Sequence, residues 1–145
     1  LPWLGPVGRL DKASEGLLLL SNDTRWAAAI TDPLTHLEKT YHVQVAGLPD
    51  AAVLAAALAG VEDAGERLKA RRVTLLRAGA KNAWLEVVLD EGRNRHIRRL
   101  LAALGFDVLR LIRVAIGPLA LGELAKGQWR RLDESEVRLL AANRP

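Results

Sequence analysis

Asp11 is the residue of this chain best placed to do chemistry. It follows Gly8-Arg9-Leu10 and precedes Lys12-Ala13-Ser14-Glu15-Gly16, so one carboxylate stands between a basic residue and the apolar run Leu17 to Leu20. Four leucines bounded by Gly16 and the turn-forming Ser21-Asn22-Asp23 predict a short strand buried on both faces. Asp11 then lies on a loop held by a rigid element, where a carboxylate serves either as a nucleophile or as the cap of a turn. A second cluster runs from Arg93 to Arg113, with six arginines and a single acid, Asp107. Planar guanidinium forks suit phosphate, and the alternative is a solvated helix face.

The elements that must carry these residues follow from periodicity. Thr24 to Thr31 reads as a short helix capped by Asp23 or Thr24 and ended at Asp32-Pro33. From Lys39 to Val45, Tyr41, Val43 and Val45 alternate with Thr40, His42 and Gln44, which predicts a strand with one buried face. The alanine-rich stretch Ala51 to Ala59 reads as a helix stopped by Gly60. Two strands, Leu68 to Leu76 and Ala83 to Leu89, flank the turn-like Gly79-Ala80-Lys81-Asn82 and predict a hairpin.

Asn94 is a good N-cap for a helix that Gly105 would end. On it Ile97, Leu100, Leu101 and Leu104 form one apolar stripe, Arg95 and Arg99 lie nearly opposite, and Arg98 sits on the shoulder. A shoulder arginine can bury its stem and still direct its guanidinium into a cleft. Leu109 to Ile116 and Trp129 to Leu132 read as further strands, and Asp133-x-x-Glu136 opens a C-terminal helix through about Ala142 as a capping box. Strands that outnumber helices without alternating regularly with them predict an α+β domain with a largely antiparallel sheet.

Composition narrows the classes. With 145 residues and 50% hydrophobic content the chain can bury one substantial core and is expected to be a single domain over 1–145. A net charge of +4 and a pI near 10.0 favour an anionic partner. Zero cysteines exclude disulfides and thiolate metal sites. His36, His42 and His96 lack metal-ligand spacing, so no metal is expected. No apolar run nears the ~18 residues of a membrane span, and no basic-then-apolar leader opens the chain. No membrane association is expected, and the cytoplasm is the expected location.

Three motifs in order carry a family resemblance that covers nearly the whole chain. Gly8-Arg9-Leu10-Asp11 with Glu15 to Asp23 resembles the first motif of the RsuA-type pseudouridine synthases, enzymes that isomerise ribosomal RNA uridines. Glu38-Lys39-Thr40-Tyr41 resembles their Lys-x-Tyr segment, and Glu91-Gly92-Arg93-Asn94-Arg95-His96-Ile97-Arg98-Arg99 their Arg-rich third motif. Leu111-Ile112-Arg113, Ile116-Gly117-Pro118-Leu119 and Gly127-Gln128-Trp129-Arg130 are also similar to that family. The chain opens Leu1-Pro2-Trp3 and contains no methionine, so it is expected to be a fragment of a catalytic domain, without an upstream S4-type RNA-binding domain.

The resemblance implies the pseudouridine synthase fold, with flanking helices and a catalytic cleft across the sheet. It implies that Asp11 is the essential carboxylate, acting on the ribose as a nucleophile or by proton abstraction, with Arg98 as its basic partner. Tyr41 matches the aromatic that stacks on the target base. Arg9, Lys39, Arg93 and Arg95 are expected to contact RNA. The reaction needs no cofactor, because nothing is oxidised and only a proton is exchanged. The expected partner is ribosomal RNA, free or in an assembling subunit, with a monomeric protein and a slight preference for large-subunit RNA. Other readings are a non-catalytic RNA-binding or ribosome-assembly module, the same chemistry on transfer RNA, and a glycosidase using Asp11 with Glu15 or Asp90 with Glu91. The 4% aromatic content argues against the glycosidase.

Overall fold

The computed structural model describes residues 4–8, 10–32, 37–93 and 95–142. Ten strands and four helices occur among them, in the order β1 (Gly5–Val7), β2 (Glu15–Gly16), β3 (Leu19–Ser21), α1 (Thr24–Thr31), β4 (Lys39–Ala46), α2 (Ala51–Ala59), β5 (Val61–Asp63), β6 (Glu66–Leu68), β7 (Arg72–Ala78), β8 (Asn82–Leu89), α3 (His96–Ala103), β9 (Val108–Ile116), β10 (Leu119–Ala120) and α4 (Glu134–Ala142). The main sheet runs β10-β9-β4-β8-β7 with every neighbour antiparallel, and β2 adds to β9 in parallel. The α+β reading with a largely antiparallel sheet therefore holds.

Two cores set the architecture. Val43 and Val45 of β4, Leu85 and Val87 of β8 and Leu111 of β9 project from one sheet face onto Ile97, Leu100 and Leu101, the apolar stripe of α3. A second core gathers Val7, Leu17, Leu19 and Ile30 with Leu37, Ile116, Leu119 and Leu140 of α4. The Trp26 indole N–H donates to the Val137 carbonyl at 2.9 Å, joining α1 to α4 across that core. Close-packed apolar area of this kind is the main stabilising term, and the strand and helix periodicities determine which residues supply it.

Local signals act where the sequence places them. Asp23 caps α1 by accepting from the amides of Arg25 and Trp26. The capping box of α4 is reciprocal: the Glu136 amide donates to Asp133 at 2.8 Å and the Asp133 amide to Glu136 at 3.0 Å. Gly60 and Gly105 follow α2 and α3 with positive φ. The expected hairpin of β7 and β8 closes through the Gly79 amide and the Asn82 carbonyl at 2.8 Å.

Four expectations are corrected. Leu17 to Leu20 is not one strand buried on both faces, since Leu18 and Leu20 are 42% and 53% exposed while Leu17 and Leu19 are buried. The chain changes partners here, leaving β9 after Gly16 and joining β1 at Leu19, so no single ladder can cover the run. Leu68 to Leu76 is two strands, because residues 61–68 first close a small hairpin of their own. Trp129 to Leu132 forms no strand; turn bonds between Ala125 and Gln128 and the Arg130–Glu136 pair take up the segment. Helix α3 starts at His96, with Arg95 in the left-handed region, and the expected cap Asn94 lies outside the described residues.

Candidate active site

A cavity of about 460 Å³ opens where the two cores meet. Asp11 and Ser14 of the β1–β2 loop, Lys39 and Tyr41 of β4, Asp90, Glu91 and Arg93 beyond β8, His96 of α3 and Arg113 of β9 all line it. The strand pattern explains why they meet: Lys39, Tyr41, Val43 and Val45 share one face of β4, so the same alternation that fills the core with valines points its first two positions into the cavity.

The loop carrying Asp11 is held at several points. The Ser14 amide donates to the Asp11 carbonyl at 2.8 Å, closing a turn. Glu15 and Gly16 pair with Ile112 and Arg113 in parallel, the Leu17 amide donates to the Arg113 carbonyl at 2.9 Å, and Arg113 Nε returns a bond to the Leu17 carbonyl at 2.9 Å. The Arg110 fork grips both Glu15 carboxylate oxygens at 2.7 and 2.9 Å, which holds the Glu15 pKa below its ordinary value.

Arg98 also reaches this loop, through a carbonyl and a hydroxyl and not through the Asp11 carboxylate. Its Nη2 donates to the Ala13 carbonyl at 3.0 Å and the Ser14 hydroxyl at 3.4 Å, and its guanidinium lies outside ion-pair range of Asp11. With Arg95, Phe106 and Asp107 it borders a separate recess rather than the Asp11 cavity. Tyr41 instead stands opposite Arg113, its register partner on β9. Burial pushes the Tyr41 phenol above its ordinary pKa, the charge and hydrogen bond of Arg113 oppose this, and the Asp11 charge adds to it. Tyr41, Asp11 and Arg113 thus share one electrostatic environment. Arg113 is only 5% exposed. Arg113 belongs to the family-like Leu111-Ile112-Arg113 stretch, and its place on the inward phase of a strand, two residues from Leu111, is a sequence signal of its own.

The remaining basic residues divide. Lys39 has its pKa lowered, first by burial and then by the Arg113 charge, with the Asp90 charge opposing. Arg93 borders the cavity and is paired with Glu66 of β6 at 2.9 Å. Arg99, which the helical wheel sets opposite the apolar stripe, bonds Asp63 at 2.7 Å and Glu66 at 2.9 Å. Arg95 is exposed beside the second recess. Arg9 lies outside the described residues. His96 is buried, bonds the Lys69 carbonyl through Nε2 at 2.8 Å and accepts the Arg93 amide at Nδ1. That arrangement fixes a neutral tautomer and fits a structural histidine. Among the described residues no group of three or more carboxylates and histidines is assembled as a metal site, and no helix is long and apolar enough to cross a membrane.

A carboxylate, a phenol and a buried guanidinium thus line one cavity on a largely antiparallel sheet. The sequence profile of RNA pseudouridylate synthases matches residues 2–103, and the chain belongs to that family. It is 45% identical to the ribosomal large subunit pseudouridine synthase E of Xanthomonas campestris pv. campestris, over 94% of this chain and 81% of that protein. It is 41% identical to an uncharacterized RNA pseudouridine synthase of Aquifex aeolicus, over 91% of this chain and 53% of that one. A crystal structure of a pseudouridylate synthase superposes with a TM-score of 0.83 at 36% identity, over 94% of this chain and 59% of that chain. The chain therefore spans most of the first relative and a little over half of the other two, and it has the pseudouridine synthase fold.

Proposed function

We propose that this chain converts uridine to pseudouridine in ribosomal RNA, with large-subunit RNA as the target. The observation that carries the reading is the cavity at the junction of the two cores, which brings Asp11, Tyr41 and Arg113 together. The large-subunit assignment is supported by the name of the Xanthomonas relative. In the reaction the bond from ribose C1′ to uracil N1 breaks, the base turns over, and C5 bonds to the same C1′. C5 gives up a proton and N1 gains one, so no oxidant, reductant or metal is consumed.

Asp11 acts on the ribose, as a nucleophile at C1′ or by removing a ribose proton. Tyr41 offers its ring to the uracil, which has left its stack at a cost of a few kcal/mol. The raised pKa keeps its phenol protonated at neutral pH. Arg113 lines the same cavity as Asp11 and is the basic residue assigned to it, while Arg98 holds the loop through the Ala13 carbonyl and the Ser14 hydroxyl. Arg93 and Arg95 meet phosphates as the RNA enters, and Arg9 joins them. We further propose a monomeric enzyme acting in the cytoplasm on free RNA or an assembling subunit.

Tritium release from ribosomal RNA labelled at C5 of its uridines tests this. The parent chain should release label, and Asp11→Asn should release none while binding RNA nearly as well. Release by both would remove Asp11 from the mechanism.

A further inference from the structure

Lys39 stands apart from the other cations of the cavity wall. Its stem starts in register with Leu89 on one side and Ile116 on the other, both buried, so the chain has little room to swing outward. Its side chain lines the cavity together with Asp11 and Tyr41. Among the described residues its ammonium makes no hydrogen bond and no ion pair. The arginines nearby are engaged: Arg93 with Glu66, Arg71 with Glu38, and Arg113 with the Leu17 carbonyl. A half-buried cation with no hydrogen-bonded or ion-paired partner, balanced only through space by the Asp90 charge, leaves its donors open to something negative that arrives later.

Two anions could fill that need, a backbone phosphate of the RNA or the base itself. Phosphates run along the outside of an RNA strand, where Arg93 and Arg95 are exposed. Lys39 sits deeper, on the strand that presents Tyr41 two residues further on. When the N1–C1′ bond breaks, its electron pair stays on the base and uracil becomes an anion with charge on N1, O2 and O4. If Asp11 is a nucleophile, its oxygen bonds C1′ and leaves again when C5 attacks. If it is a base, it takes a ribose proton and later returns it. Either way the detached uracil is negative, and Tyr41, protonated, contributes no charge to balance it.

We propose that Lys39 is a catalytic residue of this reaction, holding the detached uracil anion by its carbonyl oxygens while the base turns from N1 to C5. The inference rests on the proposed isomerase activity. Lys39 keeps its proton throughout, so the overall balance is unchanged. Charge placed where negative charge develops stabilises the bond-breaking step far more than the bound uridine, so its loss should appear in the rate and not in binding.

The experiment is single-turnover tritium release at saturating protein, with RNA affinity measured in parallel by filter binding, on the parent, Lys39→Met and Lys39→Arg. Lys39→Met should lose about 100-fold or more in rate with affinity unchanged, and Lys39→Arg should recover about tenfold of that loss. A matching thermal melt identifies the loss as local, and Lys39→Gln passes through the same two assays if Lys39→Met does not fold. Weakened binding with a normal rate at saturation would make Lys39 a phosphate contact and overturn the proposal, as would an unchanged rate. A parent chain that releases nothing, while binding RNA, would instead sink the isomerase reading itself.

Discussion

Gly16 and Arg113 are backbone neighbours in the only parallel pairing among the described strands, and they touch more closely than any other residue at position 16 would allow. A Cβ on Gly16 would overlap the Arg113 carbonyl oxygen and lie 2.6 Å from its amide nitrogen, and the φ of +111° is one that side chains rarely adopt. The contact matters because it fastens the Asp11 loop to the strand that carries Arg113, and so sets the distance between two walls of the cavity.

Gly16→Ala should therefore destabilise the fold by about 3 kcal/mol and remove turnover in the fraction that remains folded. Urea unfolding with tritium release checks both. A variant of parental stability would mean that β2 can move off β9 at no cost.

Arg98→Ala should act on rate more than on affinity. The guanidinium holds the Ala13 carbonyl and the Ser14 hydroxyl, which lie two and three residues beyond Asp11. A carboxylate misplaced by an ångström costs up to about 100-fold in rate. Steady-state kinetics on ribosomal RNA should show kcat falling by roughly tenfold or more with KM little changed. A rise in KM alone would assign Arg98 to RNA binding through the recess it borders.

Glu66 sits between two arginines, bonding Arg93 and Arg99 at 2.9 Å each, and those bonds hold its pKa below the ordinary carboxylate value. Glu66→Gln should release Arg93 for phosphate, tighten RNA binding and steepen the log-log salt dependence by up to about one unit. An unchanged slope would show that Arg93 is committed to the β5–β6 hairpin and not to RNA.

His96 should make stability depend on pH. Burial lowers its pKa from the ordinary value near 6.5, with its bond to the Lys69 carbonyl opposing. Below that ordinary value the unfolded chain takes up a proton that the folded chain refuses, so stability rises with pH and is lost as pH falls. Melting temperatures at about pH 5 and pH 7.5 should differ less in His96→Gln than in the parent. Equal pH dependence in the two proteins would assign the effect elsewhere.

The amino-acid sequence by itself determined most of the elements and the candidate carboxylate. Alternation in β4, the apolar stripe of α3, the Asp23 cap and the Asp133–Glu136 box are local patterns, with energies that depend on neighbours a few residues away. The loop position of Asp11 and the inward phase of Tyr41 could be read for the same reason. Tertiary structure alone decided which of Arg98 and Arg113 faces the cavity. Helical periodicity places Arg98 on a shoulder but cannot say whether its guanidinium meets a carboxylate or a carbonyl 85 residues away in sequence. Arg113 faces the cavity because β9 takes β4 on one side and β2 on the other, which sets it beside Tyr41 and against Leu17 at once. The split of Leu17 to Leu20 between two partners is likewise a choice between ladders, and a run of four leucines serves either ladder equally well.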